Sequence, residues 1–173
     1  MSKIDAGRRA FLRGALLTRA GRRTEVQRQQ PLGPPPPWHR GQALLDACQG
    51  CAQPCVGACG PGIIRLHPAN HTLAGTPYLD FAAGGCTFCR ACLEACPLDL
   101  GDPGTALPDI GKARLDRGVC IAWNDVICTA CQQRCDYQAI RTVHQRRTEV
   151  SAERCNGCGM CVSVCPVGAL GIA

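Results

Sequence analysis

Sixteen cysteines, arranged in four groups of four, are the residues of this 173-residue chain whose spacing could do chemistry. Groups two and four both follow the pattern C-x2-C-x2-C-x3-C-P. They comprise Cys86, Cys89, Cys92 and Cys96, followed by Pro97, and Cys155, Cys158, Cys161 and Cys165, followed by Pro166. In this pattern the first three thiolates can wrap three corners of one cubane cluster. The spacing therefore predicts [4Fe–4S] clusters at both groups.

Groups one and three depart from this spacing. Group one consists of Cys48, Cys51, Cys55 and Cys59, with one extra residue before Cys55. Group three consists of Cys120, Cys128, Cys131 and Cys135, with seven residues after Cys120 and Asp136 in place of the proline. We predict a cluster at group one because its four thiols remain closely spaced. Group three is interpreted as a possible fourth cluster, with a zinc site or a set of free thiols as the alternatives.

The repeat also predicts how the groups share ligands. In two-cluster ferredoxins the fourth cysteine of each motif ligates the other cluster. On that basis Cys96 would join the first three cysteines of group one, and Cys59 those of group two. Cys165 and Cys135 would be exchanged in the same way in the second half. Four clusters, each held within its own group, are the alternative.

A secreted disulfide scaffold and a structural zinc protein are the competing interpretations of so many cysteines. Zinc sites usually pair two C-x2-C knuckles across a longer gap, which groups two and four do not resemble. The only apolar run near the N-terminus, residues 14–18, is shorter than the roughly 7–15 residues of a secretory signal core. We therefore expect a cytoplasmic protein without a membrane span. The Arg8–Arg9 pair, followed by Phe11 and Leu12, also resembles a twin-arginine export signal, which is the alternative.

The elements that position the thiols are predicted to repeat once along the chain. Apolar runs around a polar loop predict hairpins in "GIIRL…YLDFA" and "AIRTV…TEVSA", and "VGALGIA" predicts a last strand. Residues 90–95 and 160–164 are predicted to form helical turns. The expected fold is α+β, with two tandem ferredoxin-like modules of the bacterial 2[4Fe–4S] type and a flexible basic tail. The predicted divisions are a tail at 1–40 ending in a polyproline spacer, a module at 41–97, a linker at 98–118 and a module at 119–173.

Charge is concentrated in the tail. Residues 1–40 carry nine Lys or Arg against two acidic residues, or +7, and the rest carries ten against eleven, or −1. Without a basic helix or an aromatic platform this is not a nucleic-acid footprint. It favours docking on an acidic patch of a protein partner, with Arg8 and Arg9 as candidates, although a solvated tail is the alternative. The four histidines, His39, His67, His71 and His144, are expected to face solvent, and no catalytic motif indicates an enzyme.

The opening "IDAGRRAFL", the irregular group three and the final "CNGCGMCVSVCP" together resemble the ferredoxin-type NapF family of periplasmic nitrate reductase systems. The resemblance implies [4Fe–4S] ligands at Cys48–Cys59, Cys86–Cys96 and Cys155–Cys165. It also implies a cytosolic accessory that helps insert or reduce the cluster of the precursor of the catalytic subunit NapA before export. An electron carrier in a respiratory nitrate-reduction chain is the second hypothesis, and a zinc-binding interaction module is the third.

Overall fold

The structure, a computed structural model, describes residues 30–39, 46–100, 104–144 and 146–173. Four short α-helices each carry the third cysteine of one group, and all four of these cysteines are buried. The helices are α1 (Pro54–Ala58), α2 (Ala91–Glu94), α3 (Ala130–Gln133) and α4 (Met160–Ser163), and a 3-10 helix spans Ile121–Trp123. None of the helices in these ranges is both long enough and apolar enough to traverse a bilayer.

Within the described residues, six strands form three two-stranded antiparallel sheets. The strands are β1 (Ile64–Leu66), β2 (Pro77–Leu79), β3 (Ala113–Leu115), β4 (Ile140–Val143), β5 (Arg147–Val150) and β6 (Leu170–Ile172). The pairs β1–β2 and β4–β5 are the two predicted hairpins, and β6 is the predicted last strand. The helical turns at 90–95 and 160–164 are also confirmed, as α2 and α4. Both predicted modules therefore contain the α and β elements expected of them.

Strand β3 lies inside the segment 98–118 that the sequence analysis treated as a linker. It pairs with β6, with Ala113 opposite Ile172 and Leu115 opposite Leu170. Two further backbone hydrogen bonds extend this ladder: the Lys112 amide donates to the Ala173 carbonyl oxygen at 2.8 Å, and the Ala173 amide donates to the Lys112 carbonyl oxygen at 3.1 Å. The two ends of the second module are therefore tied together. Residues 113–115 are structurally part of this module.

The segment 30–39 packs against the first module and is not a free spacer. Its Pro36 is fully buried, and the Leu79 amide of β2 donates to the Pro34 carbonyl oxygen at 2.8 Å. The expected boundary at residue 40 therefore differs from the structure, because this end of the predicted tail covers the edge of the hairpin. The basic part of the tail, residues 1–29, lies outside the described residues, as do Arg8 and Arg9.

Three of the four histidines are buried, which corrects the expectation that they face solvent. His39, His67 and His71 are 1%, 5% and 8% exposed, whereas His144 is exposed as expected. His67 Nε2 accepts from the Leu32 amide at 3.2 Å, and its Nδ1 lies 2.9 Å from the Thr76 carbonyl oxygen. His71 accepts from the Leu73 amide through Nδ1 and donates to the Gln30 carbonyl oxygen at 2.8 Å. The histidines thus hold segment 30–39 in place.

These contacts predict a pH-dependent attachment of segment 30–39. Burial lowers the pKa of His67, and a proton on Nε2 would face the Leu32 amide hydrogen. A histidine whose pKa is lowered by folding stabilises the fold at pH values above its unfolded-state pKa. This stabilisation is lost as the pH falls through the folded-state pKa. We therefore expect the exchange protection of the Leu32 and Leu79 amides to fall as pH drops from about 7.5 to about 5.5, below the unfolded histidine pKa of about 6.5.

The measurement is hydrogen exchange of these two amides, expressed as protection factors so that intrinsic exchange cancels. His67→Phe, which cannot be protonated, should remove the pH dependence at Leu32. His144→Gln is the matched control because His144 is exposed, and it should behave as the wild type. Protection that is equal at both pH values in the wild type would contradict this role for His67.

Candidate metal centres

Three cavities in the described residues are each bordered by four cysteines. Their thiols are Cys59, Cys86, Cys89 and Cys92 in the first, Cys135, Cys155, Cys158 and Cys161 in the second, and Cys120, Cys128, Cys131 and Cys165 in the third. Each cavity therefore combines three cysteines of one group with the fourth cysteine of the neighbouring group. This is the crossed combination that the ferredoxin repeat predicted.

The remaining four cysteines are also brought together. Burial raises the pKa of Cys48 and Cys55, and the charges of Cys96 and Cys51 raise both further. Cys96 of group two therefore lies close enough to interact electrostatically with Cys48 and Cys55 of group one. The structure thus gathers all sixteen thiols into four crossed sets, and the binding of clusters by these sets stays a prediction.

The residues before three of the four helices, namely Gln53, Arg90 and Gly159, adopt left-handed backbone angles. Gly157 and Gly159 have φ of 75° and 76°, and Phe88 and Arg90 adopt the same region without being glycine. This conformation is strained for residues that carry a Cβ. It directs the Phe88 amide at the Cys86 sulfur, 3.4 Å away. Such strain in a loop is typical of a functional site.

Backbone N–H groups donate to five cysteine sulfurs in the described residues. The acceptors include the two exchanged cysteines of the second module, with Ala139 N 3.3 Å from Cys135 Sγ and Ala169 N 3.2 Å from Cys165 Sγ. The others are Cys51, Cys86 and Cys155, which accept from Gln53, Phe88 and Ala113. Hydrogen bonds to cluster sulfurs are one of the factors that set the reduction potential.

Sequence reasoning missed two residues that contact Cys155. The backbone amide of Ala113, in β3, donates to the Cys155 sulfur from within the predicted linker. Lys112 donates to the Cys155 carbonyl oxygen at 2.6 Å and forms an ion pair with Asp109 at 2.8 Å. The sequence does carry a signal for the donors Ala139 and Ala169, because an alanine follows the fourth cysteine by four residues in both groups of the second module. Nothing local in the sequence marks Lys112 or Ala113.

The buried thiols resist ionisation without a cation beside them. Burial raises the pKa of Cys86 to about 11 and those of Cys92 and Cys161 to about 12, and neighbouring thiolates add to each shift. Metal ligation requires the thiolate, so a bound centre must replace these protons with positive charge. These thiols therefore need a cationic group beside them to become ligands.

The donor set and the space fit a [4Fe–4S] cluster better than a single ion. The residues that line the three cavities include no Asp, Glu or His, and sulfur-only donors select zinc, copper(I) or iron–sulfur centres. Zinc would draw four sulfurs to about 2.3 Å from one point, whereas these thiols surround a cavity. Within the described ranges, no three Cys, His, Asp or Glu side chains converge on a position for one metal ion. When bound, such a cluster accepts and releases one electron.

Comparison with known proteins agrees with this arrangement. Two family models, each described as a 4Fe-4S dicluster domain, match residues 47–100 and 113–172. The second match begins at Ala113, the first residue of β3. No solved structure matches the chain. Two dicluster domains support multiple [4Fe–4S] clusters in this protein.

Curated relatives cover nearly the whole chain. The ferredoxin-type protein NapF of Escherichia coli strain K12 is 32% identical over 97% of this chain and 94% of its own length. NapF of Haemophilus influenzae is 34% identical over 98% of this chain and 95% of its own. The methylamine utilization ferredoxin-type protein MauM of Methylorubrum extorquens is 29% identical over 72% of this chain and 64% of its own.

Proposed function

Since this chain belongs to the family of ferredoxin-type NapF proteins, we propose that it assists maturation of a periplasmic nitrate reductase catalytic subunit in the cytoplasm. The precursor of that subunit, NapA, would receive either an iron–sulfur cluster or electrons for its cluster. The observation that carries the proposal is that every thiol set contains four cysteines. A cluster with four thiolate ligands has no open iron for substrate, which favours electron transfer or cluster handling over catalysis.

The chain's own residues would perform three tasks in this role. The third cysteine of each group, on its short helix, places a thiol in a buried position. Apolar residues such as Ile63, Leu79 and Leu170 line the cavities and exclude water. The backbone amides of Ala139 and Ala169 hold the exchanged cysteines by donating to their sulfurs. Burial and N–H donation together would set the potential of each centre.

The test mixes the holo protein anaerobically with the NapA precursor that lacks its cluster, in the presence of unlabelled iron and sulfide. With iron-57 in this protein only, we expect NapA to acquire its cluster or to gain nitrate-reducing activity. Label that moves to NapA indicates cluster donation, and activity without label transfer indicates electron delivery. The cluster-free form of the same chain is the control. A precursor that gains neither cluster nor activity would contradict the maturation role.

The basic tail is the proposed docking element for this precursor. Its +7 charge suits an acidic surface, and Arg8 with Arg9 forms its most concentrated basic pair near the start. Replacing both by Gln should weaken precursor binding, whereas Arg22→Gln with Arg23→Gln tests a second pair of the same charge. Equal loss for the two double variants would assign docking to net charge and not to Arg8 and Arg9.

An electron carrier in a respiratory nitrate-reduction chain is the second candidate function. It is favoured by the number of thiol sets, since one cluster would suffice for a single donation step. A deletion strain separates the two functions. Normal NapA maturation together with slower nitrate-dependent respiration would support the carrier.

A further inference from the structure

The two modules meet at the cysteine loops of groups two and four. The Cys86 amide donates to the Cys158 carbonyl oxygen at 2.7 Å, which is a backbone hydrogen bond between the modules. Both residues border thiol cavities, Cys86 the cavity completed by Cys59 and Cys158 the cavity completed by Cys135. The contact between modules is therefore made by candidate cluster ligands themselves.

Glycines allow this close approach. A Cβ added at Gly85 would lie 2.6 Å from the Met160 amide nitrogen and 2.7 Å from the Cys158 carbonyl oxygen. A Cβ added at Gly159 would overlap the ring of Phe81 from the first module. Backbone atoms cannot move aside as a flexible side chain can, so any side chain at Gly85 must push the two loops apart.

Apolar packing surrounds the same contact. Val162 and Ile172 of the second module pack against the first module's buried cluster, which contains Ile63, Leu79 and Phe81. Ile110, whose amide donates to the Asn156 carbonyl oxygen at 3.1 Å, packs there too. The modules thus share apolar contacts and a backbone bond, in contrast to two independent carriers on a flexible linker.

We propose that the two modules form one continuous electron path, in which the centres of groups two and four are neighbours across the Cys86–Cys158 contact. Within each module the exchanged fourth cysteines link the inner centre to the outer one, so the centres of groups one and three terminate the path. The inference rests on the four clusters proposed above and specifies how they communicate. Each step moves one electron, oxidising one centre and reducing the next, and no bond forms or breaks.

The test is electron paramagnetic resonance of the full holo protein reduced with dithionite, since neighbouring reduced clusters split each other's signals. Gly85→Ala should lose the splitting that crosses between modules while keeping the splitting within each module. Gly84→Ala is the matched control, because a Cβ there would meet the nearest side-chain atom, Ile63 Cγ2, at an ordinary 3.8 Å. Iron content is measured on every sample. Wild-type splitting in a fully loaded Gly85→Ala variant would overturn the path.

A second variant tests the electron path if Gly85→Ala does not bind its full set of clusters. The double variant Cys48→Ala with Cys120→Ala removes one thiol from each outer set and leaves the two inner sets intact. Its two remaining centres, one in each module, should still split each other's signals. Unsplit signals from a sample with both centres present would overturn the path and leave the maturation proposal standing. A wild type without iron and sulfide would overturn both.

Discussion

Cys135→Ala is expected to empty the cavity of group four and not that of its own group. Cys135 borders the cavity with Cys155, Cys158 and Cys161, whereas the other three cysteines of group three surround a separate cavity with Cys165. Removing the half-buried Cys135 thiol from the group four cavity leaves three ligands and an open, reactive iron. The centre that degrades should therefore be the one whose other ligands lie twenty or more residues along the chain.

The measurement combines iron analysis with thiol labelling. Iron should fall from about sixteen to about twelve atoms per chain, given four per cluster. Alkylation under native conditions, followed by peptide mapping, should label Cys155, Cys158 and Cys161 in the variant. Cys131→Ala is the matched control, since Cys131 is also a thiol of group three, and it should expose Cys120, Cys128 and Cys165 instead. Labelling of Cys120, Cys128 and Cys131 in Cys135→Ala would contradict the crossed sets.

The parts of the fold that the sequence predicted are those with local signals. The two hairpins join strands that are close in the sequence, and α2 and α4 lie inside cysteine motifs whose spacing is itself geometric information. The crossed grouping of the thiols was also within reach, because the C-x2-C-x2-C-x3-C-P spacing carries it over from two-cluster ferredoxins. Each of these predictions depends on residues within a short window.

The parts that were missed depend on contacts between distant residues. Strand β3 has only three residues and acquires its identity from β6 at the other end of the module. The burial of His67 depends on Leu32, which is 35 residues away and whose backbone amide donates a hydrogen bond to the His67 ring. A histidine in a polar loop gives no local sign of such a partner. Long-range pairing of this kind cannot be recognised from periodicity in a single sequence.

The left-handed residues show a similar limit at the site itself. Gly157 and Gly159 adopt positive φ, which glycine does without strain. Phe88 and Arg90 occupy matching places in group two with φ of 56° and 65°. Their side chains give no indication of this conformation. The thiol set around them must fix it, which makes group two the more strained of the two loops at the module contact.

The largest effect on the fold is expected from removing the clusters. The buried side chains of the described residues include few large apolar groups, chiefly Ile63, Ile64, Leu79 and Phe81 in the first module and Ile140 and Leu170 in the second. The remaining buried apolar positions are mostly alanine and cysteine. Small domains with so little core depend on metals or crosslinks for stability. The sixteen cysteines form no disulfide in the structure, so bound clusters are the crosslinks that this chain offers.

Chelation of iron from the anaerobic holo protein should therefore abolish cooperative unfolding and the sheet signal in far-ultraviolet circular dichroism. When a site does not exist in the unfolded chain, the binding free energy of the metal centre is folding free energy. Iron with sulfide should restore both signals, whereas zinc, the matched control, should not restore the native exchange protection of the β3–β6 amides. An iron-free chain that keeps native protection at Ile140 and Leu170 would show that packed side chains suffice. The sparse core makes that outcome unexpected, because each of the four short helices contributes a buried cysteine to a thiol set.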